Sequence, residues 1–557
     1  MPRMGRVFLP PTIVLLILAA VFFAMTAVDP PGSKTIVFAS ADDTKTLDPG
    51  RMSWAGDIRA ATGLWEGLTA YDPKTLVPIP GAASSWEVSA DGLKYTFHLR
   101  PEAKWSNGDP LRAQDFLFAW KRVLNPATAA DYIDMVQHLE GAEAYTNALE
   151  KKQPENLPDF SKVGAKAIDE HTIEVRLAAP CTYFLDLTAF PPYFPLHEKA
   201  MAPFLTDPKD PDAGYDGRWT HPPNLVTNGP FKLVEWQFKR HLLFEPNEHY
   251  WDRSAVKCER LRLVTYDDPR SGLLAYDAGT VDVMSWVPQE FGPELLAAQA
   301  AGKRNDVHWR PVFGTYYYIF NCSRKPFDDV RVRRALTLAI DKEQITQKVL
   351  RMGQQPVNVL VPPDSIVGYH GPKGVDMDVA QARKCLAEAG FPGGAGFPVT
   401  EILYNNESIH SRTAQVIGQM WEKNLGIRIS YRGVERGTFG DDRRSLNFAI
   451  ARGGWYGDYA DPTTWLNLAK SGDGNNDGKY SNPKFDDTLV RAGKEIDPAK
   501  RFGLLREAEG ILVEQDFPFI PLYEYSDGYI YDDKKIGGAD VNVRLLTQFK
   551  YIHRIVP

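Results

Sequence analysis

From residue 35 to the C-terminus, strand-patterned and helix-patterned stretches alternate with no long Pro/Gly/Ser linker between them. That alternation constrains the fold more than any other feature, because it predicts α/β architecture with mixed sheets. TIVFASA (35–41) is rich in β-branched and apolar residues and reads as a strand. In WEVSADGLKYTFHLR (86–100), Asp91-Gly92 is a hairpin turn, and Tyr95, Phe97 and Leu99 alternate as one buried strand face. AQDFLFAWKRVL (113–124) has helical spacing with Asp115 near its start. Further strands are expected at 171–177, 231–236, 315–321, 402–405 and 448–455. Further helices are expected at 328–340, at 379–389 before Gly390, and at 411–424 before Gly426. Lobes joined by short crossings are implied, in a compact hinged body.

The 557 residues are 43% hydrophobic, enough to bury cores in about two to four domains. Net charge is −7 with both signs mixed along the chain, so no basic stripe exists to bind a phosphate backbone, and nucleic acid is not an expected partner. Cys181, Cys258, Cys322 and Cys385 lack metal-ligand spacing; one disulfide or four buried thiols both remain open. Arg3 and Arg6 precede an uncharged stretch (7–28) containing IVLLILAAVFFAM, the order of a secretory signal or a membrane anchor. Residues 1–31 are therefore read as a cleaved leader or a retained tether, with the remainder exported.

No HExxH, Walker loop, GxSxG elbow or GxGxxG in a strand–turn–helix context is present. The segment from Asp473 to Gly478 begins like a calcium loop, but Lys484 stands where a bidentate glutamate is required, so an Asx-rich turn is expected. His98 falls in a strand, and His138 and His171 are read as surface or hydrogen-bonded. No metal, cofactor or enzymatic activity is expected.

Several blocks together carry a resemblance. They are LDP (47–49), GLWEGLTAYDP (63–73), SSWEVSADGLKYTFHLRPEAKWSNGDPLRAQDFLFAWKRVLNP (84–126), TNGPFKLVEW (227–236), TYYYIFNCSRKPFDDVRVRRALTLAID (315–341), GGWYGDYADPTTWLN (453–467) and FPFIPLYEY (517–525). The chain resembles the family 5 extracellular solute-binding proteins, most of all the periplasmic oligopeptide-binding members that serve ABC permeases. The resemblance implies an α/β, two-lobed periplasmic-binding-protein fold of the large, three-domain type, with a hinge and a ligand cleft between lobes. Lobe I would comprise 32–65, 197–313 and 526–557, with an extra domain inserted at 66–196 and lobe II at 314–525. Implied partners are short peptides and the transmembrane subunits of an ABC permease, in a periplasmic or extracytoplasmic location, and a monomer is expected.

A receptor for many peptides must grip what all peptides share. By the resemblance, Asp458 in Trp455-Tyr456-Gly457-Asp458-Tyr459 pairs with the ligand's α-ammonium, since an unpaired buried charge is costly; a turn-bracing Asp is the alternative. Gly454 and Ala55 are implied to offer main-chain groups to the ligand backbone. Arg452, Arg443 and His410 fall where the family places basic residues for the carboxylate end. Tyr132, Tyr317 and Tyr318 are read either as cleft-lining or as core. The chain departs from the family pattern at Ile319, where a glutamate stands in the relatives, and at Arg436, where a tryptophan does. Gly314 and Tyr456 occupy the positions of the relatives' disulfide. Alternative functions are binding of another solute (murein peptide, metal chelate, haem, opine) and a membrane-tethered sensor or chaperone.

Overall fold

The computed structural model describes residues 34–41, 43–150, 159–210, 214–266, 268–288 and 290–555. The leader assigned to 1–31 lies outside them. Among the described residues no helix is long and apolar enough to cross a membrane.

One mixed sheet of eleven strands organises the described chain. Its order is Ile429–Val434, Thr400–Asn405, Ile450–Tyr456, Val307–Phe320, Phe519–Tyr531, Val283–Met284, Thr35–Ser40, Arg260–Thr265, His241–Pro246 and Phe231–Gln237, with Gln355–Pro356 also paired to Phe519–Tyr531. The sequence-expected strands are present with ends shifted by a few residues. The largest difference is Val307–Phe320, which begins eight residues before the apolar run at 315. The early part, VHWRP, mixes polar with apolar residues, and pairing with Phe519–Tyr531 holds it extended.

Val307–Phe320 and Phe519–Tyr531 run through both halves of this sheet. Their outer stretch pairs Val307 with Ile530 and Pro311 with Ser526; their inner stretch pairs Thr315 with Glu524 and Ile319 with Phe519. The register shifts between Pro311 and Thr315. Proline has no N–H to give to a ladder, and the Phe313 N–H donates instead to the Val543 carbonyl at 2.6 Å. Two strands with a break at one level are thus what connects the halves.

Beyond the break, alternate side chains point to opposite faces. Tyr316, Tyr318 and Phe320 pack in one buried cluster with the helices Val330–Leu338 and Ser408–Leu425. Phe313, Tyr317 and Ile319 pack in another, with Trp465, Phe485 and Leu505. A separate antiparallel sheet, ordered Ala83–Val88, Lys94–Leu99, Thr172–Arg176 and Ala165–Asp169, lies between residues 66 and 196. Tyr95, Phe97 and Leu99 are buried there as the alternation predicts, and Gly92 in the turn has φ +67°. That body shares one continuous core with Phe38, Phe231 and Phe244 of the large sheet. All four cysteines are free thiols, three of them buried, so the disulfide alternative is set aside.

Candidate functional site

The Ile450–Tyr456 strand has one edge covered and one edge half open. Along one side it pairs with Val307–Phe320 throughout, from Ile450 opposite Phe320 to Tyr456 opposite Gly314. Along the other, Thr400–Asn405 reaches only Ile450 and Ala451. Among the described residues no strand pairs with 452–456 on that side, so its main-chain groups are available to an added strand.

Two glycines shape this edge. A Cβ on Gly454 would lie 2.2 Å from the Tyr525 hydroxyl, and one on Gly453 would lie 2.3 Å from the Tyr317 ring. Gly314 lies opposite Tyr456 in the ladder, and the Tyr456 ring, 59% exposed, stacks on Tyr525 at 4.7 Å. The two positions assigned to the relatives' disulfide are therefore cross-strand neighbours in the ladder.

Asp458 sits just past the strand end, in a loop held from several directions. Thr464 ties it locally: its hydroxyl accepts from the Asp458 N–H at 3.2 Å and donates to Asp458 Oδ2 at 3.4 Å, and also accepts from Trp455 Nε1 at 3.0 Å. Asp461, three residues on, forms a buried ion pair with Arg501 at 2.5 Å. The smaller body supplies the rest. Tyr183 stacks on Tyr459 with ring centroids 4.2 Å apart, and Asp186 Oδ2 accepts from the Ala460 N–H at 3.2 Å. Asp186 is itself held by Arg544 at 3.1 Å.

No cation is paired with Asp458 at contact distance among the described residues. Burial pushes its carboxyl up to about 6; the negative charge of Asp134 adds to that, while Thr464 and Arg544 oppose it. The Tyr132 phenol is pushed up to about 12, by burial first and by Asp458 second. Tyr132 and exposed Asp134 thus face Asp458 from the smaller body. Asp131 accepts a hydrogen bond from the Ser53 hydroxyl, which brings the start of the Ala55–Leu64 helix, with exposed Ala55, to the same side. The arrangement is a half-buried carboxylate facing a second carboxylate. It is poised to receive a cation.

At the other end of the open edge lies Arg452. Its Nη2 donates to the Tyr525 hydroxyl at 2.9 Å, and its guanidinium lies over the Tyr316 ring at 5.1 Å. No carboxylate lies within ion-pair distance of it among the described residues, and its buried Nε has no hydrogen-bond partner. Arg443 also reaches this end but is ion-paired with Asp477. Asp473 accepts from the Asn475 N–H at 2.8 Å, the Asx turn the sequence predicts.

Three expectations need correction. His410 lies in the first turn of Ser408–Leu425, but its side chain turns inward and is only 4% exposed. Burial, and secondarily the Arg452 charge, lower its pKa to about 3, so it presents no cation to a carboxylate. It bridges the Tyr316 hydroxyl at 3.2 Å and Glu407 at 3.2 Å. Tyr317 and Tyr318 are 1% and 0% exposed and belong to the two cores, not to an open surface. Asp134, Tyr183, Asp186 and Arg544 carried no sequence signal; Tyr525 lay inside a noted motif but was not singled out.

Two lobes that share a pair of long strands, with a half-open strand edge between opposite charges, define a solute-binding architecture. Comparison agrees. The profile of the bacterial extracellular solute-binding proteins, family 5 middle region, matches residues 77–477. The oligopeptide-binding protein OppA of Bacillus subtilis is 33% identical over 522 residues, 91% of each chain. Among solved structures, the unliganded open form of the periplasmic murein tripeptide-binding protein MppA superposes with TM-score 0.80 at 29% identity, covering 94% of this chain and 98% of that one. Haemophilus influenzae OppA in complex with the peptide RPPGFSPFR gives TM-score 0.71 at 30% identity, covering 94% and 99%. This chain belongs to the family 5 extracellular solute-binding proteins and has their two-lobed fold.

Proposed function

We propose that this protein is the extracytoplasmic substrate-binding component of an ABC importer, which captures short peptides between two lobes and delivers them to the permease. The observation that carries this reading is the open edge at 452–456, with Asp458 beyond one end and Arg452 at the other. An extended peptide can add as a strand to that edge, its ammonium meeting Asp458 and its carboxylate meeting Arg452. Neither contact depends on peptide sequence, as a general importer requires. The relatives, an oligopeptide-binding protein and a peptide complex among them, support the same ligand class.

In this reading 314–525 is lobe II, the segments 32–65, 197–313 and 526–557 form lobe I, and 66–196 is a domain inserted in lobe I. The hinge is the register break between Pro311 and Thr315 and the paired stretch near Ser526. Gly454, Trp455 and Tyr456 line the ligand edge; Tyr132 and Ala55 approach from the opposite wall; Arg443 supplements Arg452. The chain works as a monomer and is exported by residues 1–31.

Calorimetric titration with tripeptides, with their N-acetylated forms, and with Asp458→Asn tests this. Binding lost on acetylation and in the variant supports it. Tight binding indifferent to both overturns the placement of the ammonium.

A further inference from the structure

We propose that the pocket at the carboxylate end of the open edge selects peptides that carry an acidic side chain on the last residue or the one before it. This rests on the peptide-binding reading above and names its substrate class.

The pocket is lined by four guanidinium groups, those of Arg436, Arg443, Arg444 and Arg452, and by two carboxylates, Glu407 and Asp477. Two of the four have carboxylate partners at ion-pair distance, Arg443 with Asp477 and Arg444 with Asp441, and two, Arg452 and Arg436, have none among the described residues. Asp477 is committed to Arg443. Glu407 is held by Asn405 Nδ2 at 2.7 Å and by the buried His410 ring at 3.2 Å. Arg444, largely exposed and paired with Asp441 at 2.6 Å, needs no anion from the ligand. Arg452 has a phenol and an aromatic face as neighbours, and the buried Nε atoms of both Arg452 and Arg443 have no acceptor.

A peptide brings one terminal carboxylate, which neutralises one of these two unpartnered charges. When the lobes close and water leaves, the second charge requires an anion, because an uncompensated charge in a desolvated pocket is costly. An Asp or Glu side chain supplies it, and a carboxylate suits the planar fork of a guanidinium. A neutral side chain leaves the charge unpaired, and a Lys or Arg side chain adds repulsion. Arg436 is the exposed member of the set with no carboxylate partner at ion-pair distance among the described residues, so it is the residue assigned to the ligand side chain.

The test is calorimetric titration of the protein with tetra-alanine and with tetrapeptides carrying Glu or isosteric Gln at each position, repeated with Arg436→Gln and Arg436→Lys. Glu is expected to be favoured over Gln by about tenfold at one of the last two positions. That ratio should fall to near unity in Arg436→Gln and persist in Arg436→Lys, with the thermal midpoint unchanged in both. A ratio within about twofold at both positions, or a preference that survives Arg436→Gln, overturns the proposal. If tetra-alanine binds only with a free ammonium and no acidic preference appears, this inference falls and the peptide-binding reading stands. If no peptide binds at all, both fall.

Discussion

Lowering the pH from about 7.5 to about 5 removes roughly nine-tenths of the charge on Asp458 in the free protein, because its carboxyl titrates near 6. The α-ammonium of a peptide stays protonated over that range, since it titrates near 8. If the ionised carboxylate is the ammonium's partner, affinity falls about tenfold between the two pH values. The bound complex holds Asp458 ionised, so close to one proton is released per peptide bound near pH 5 and little near pH 7.5. For the free protein the sign is opposite. A carboxyl whose folded-state pKa is raised disfavours the folded state once ionised, so Asp458 lowers stability as pH rises from about 4 to about 6. Two groups near the edge, His410 held near 3 and Tyr132 near 12, lie outside this range. Asp527 also titrates near 6, but it accepts from the Val287 and Gly528 amides, away from the edge. Calorimetry in two buffers of different ionisation enthalpy reads both affinity and proton release, with Asp458→Asn as reference. A wild-type affinity that is flat from pH 5 to 7.5, or a slope retained in Asp458→Asn, refutes the assignment of the ammonium to Asp458.

Three further outcomes are expected. Tyr183→Ala removes the 4.2 Å stack on Tyr459 and should weaken peptide binding by up to about tenfold, with Tyr183→Phe near wild type by calorimetry. Gly454→Ala places a Cβ 2.2 Å from the Tyr525 hydroxyl that holds Arg452, so binding should drop at least about tenfold and stability by about 1–3 kcal/mol in denaturant titration. Asp461→Ala leaves Arg501 as a buried unpaired cation, and chemical denaturation should show a loss of about 3–5 kcal/mol.

Local pattern made much of this protein legible. Period-2 and 3.6 repeats placed the strands and helices of both bodies, because each depends on neighbours a few positions away. The Gly453-to-Tyr459 motif drew attention to this strand end, and the proposed role of Asp458 there came from the family resemblance rather than from local pattern. Which face a residue takes within a fold was less legible. Tyr316, Tyr317 and Tyr318 are chemically alike, yet they divide between two cores because the sheet is covered on both sides. His410 has the spacing of an exposed helix residue, yet it packs inward against Tyr316, and burial and the Arg452 charge keep its ring neutral. Asp134, Tyr183 and Asp186 lie more than 270 residues from the loop they meet, and nothing local marks them. The sequence by itself determined the α/β class and the chemistry at the ends of one strand. Tertiary structure alone decided which edge of that strand stays open and what charge surrounds it, because both depend on pairings between segments distant in the chain.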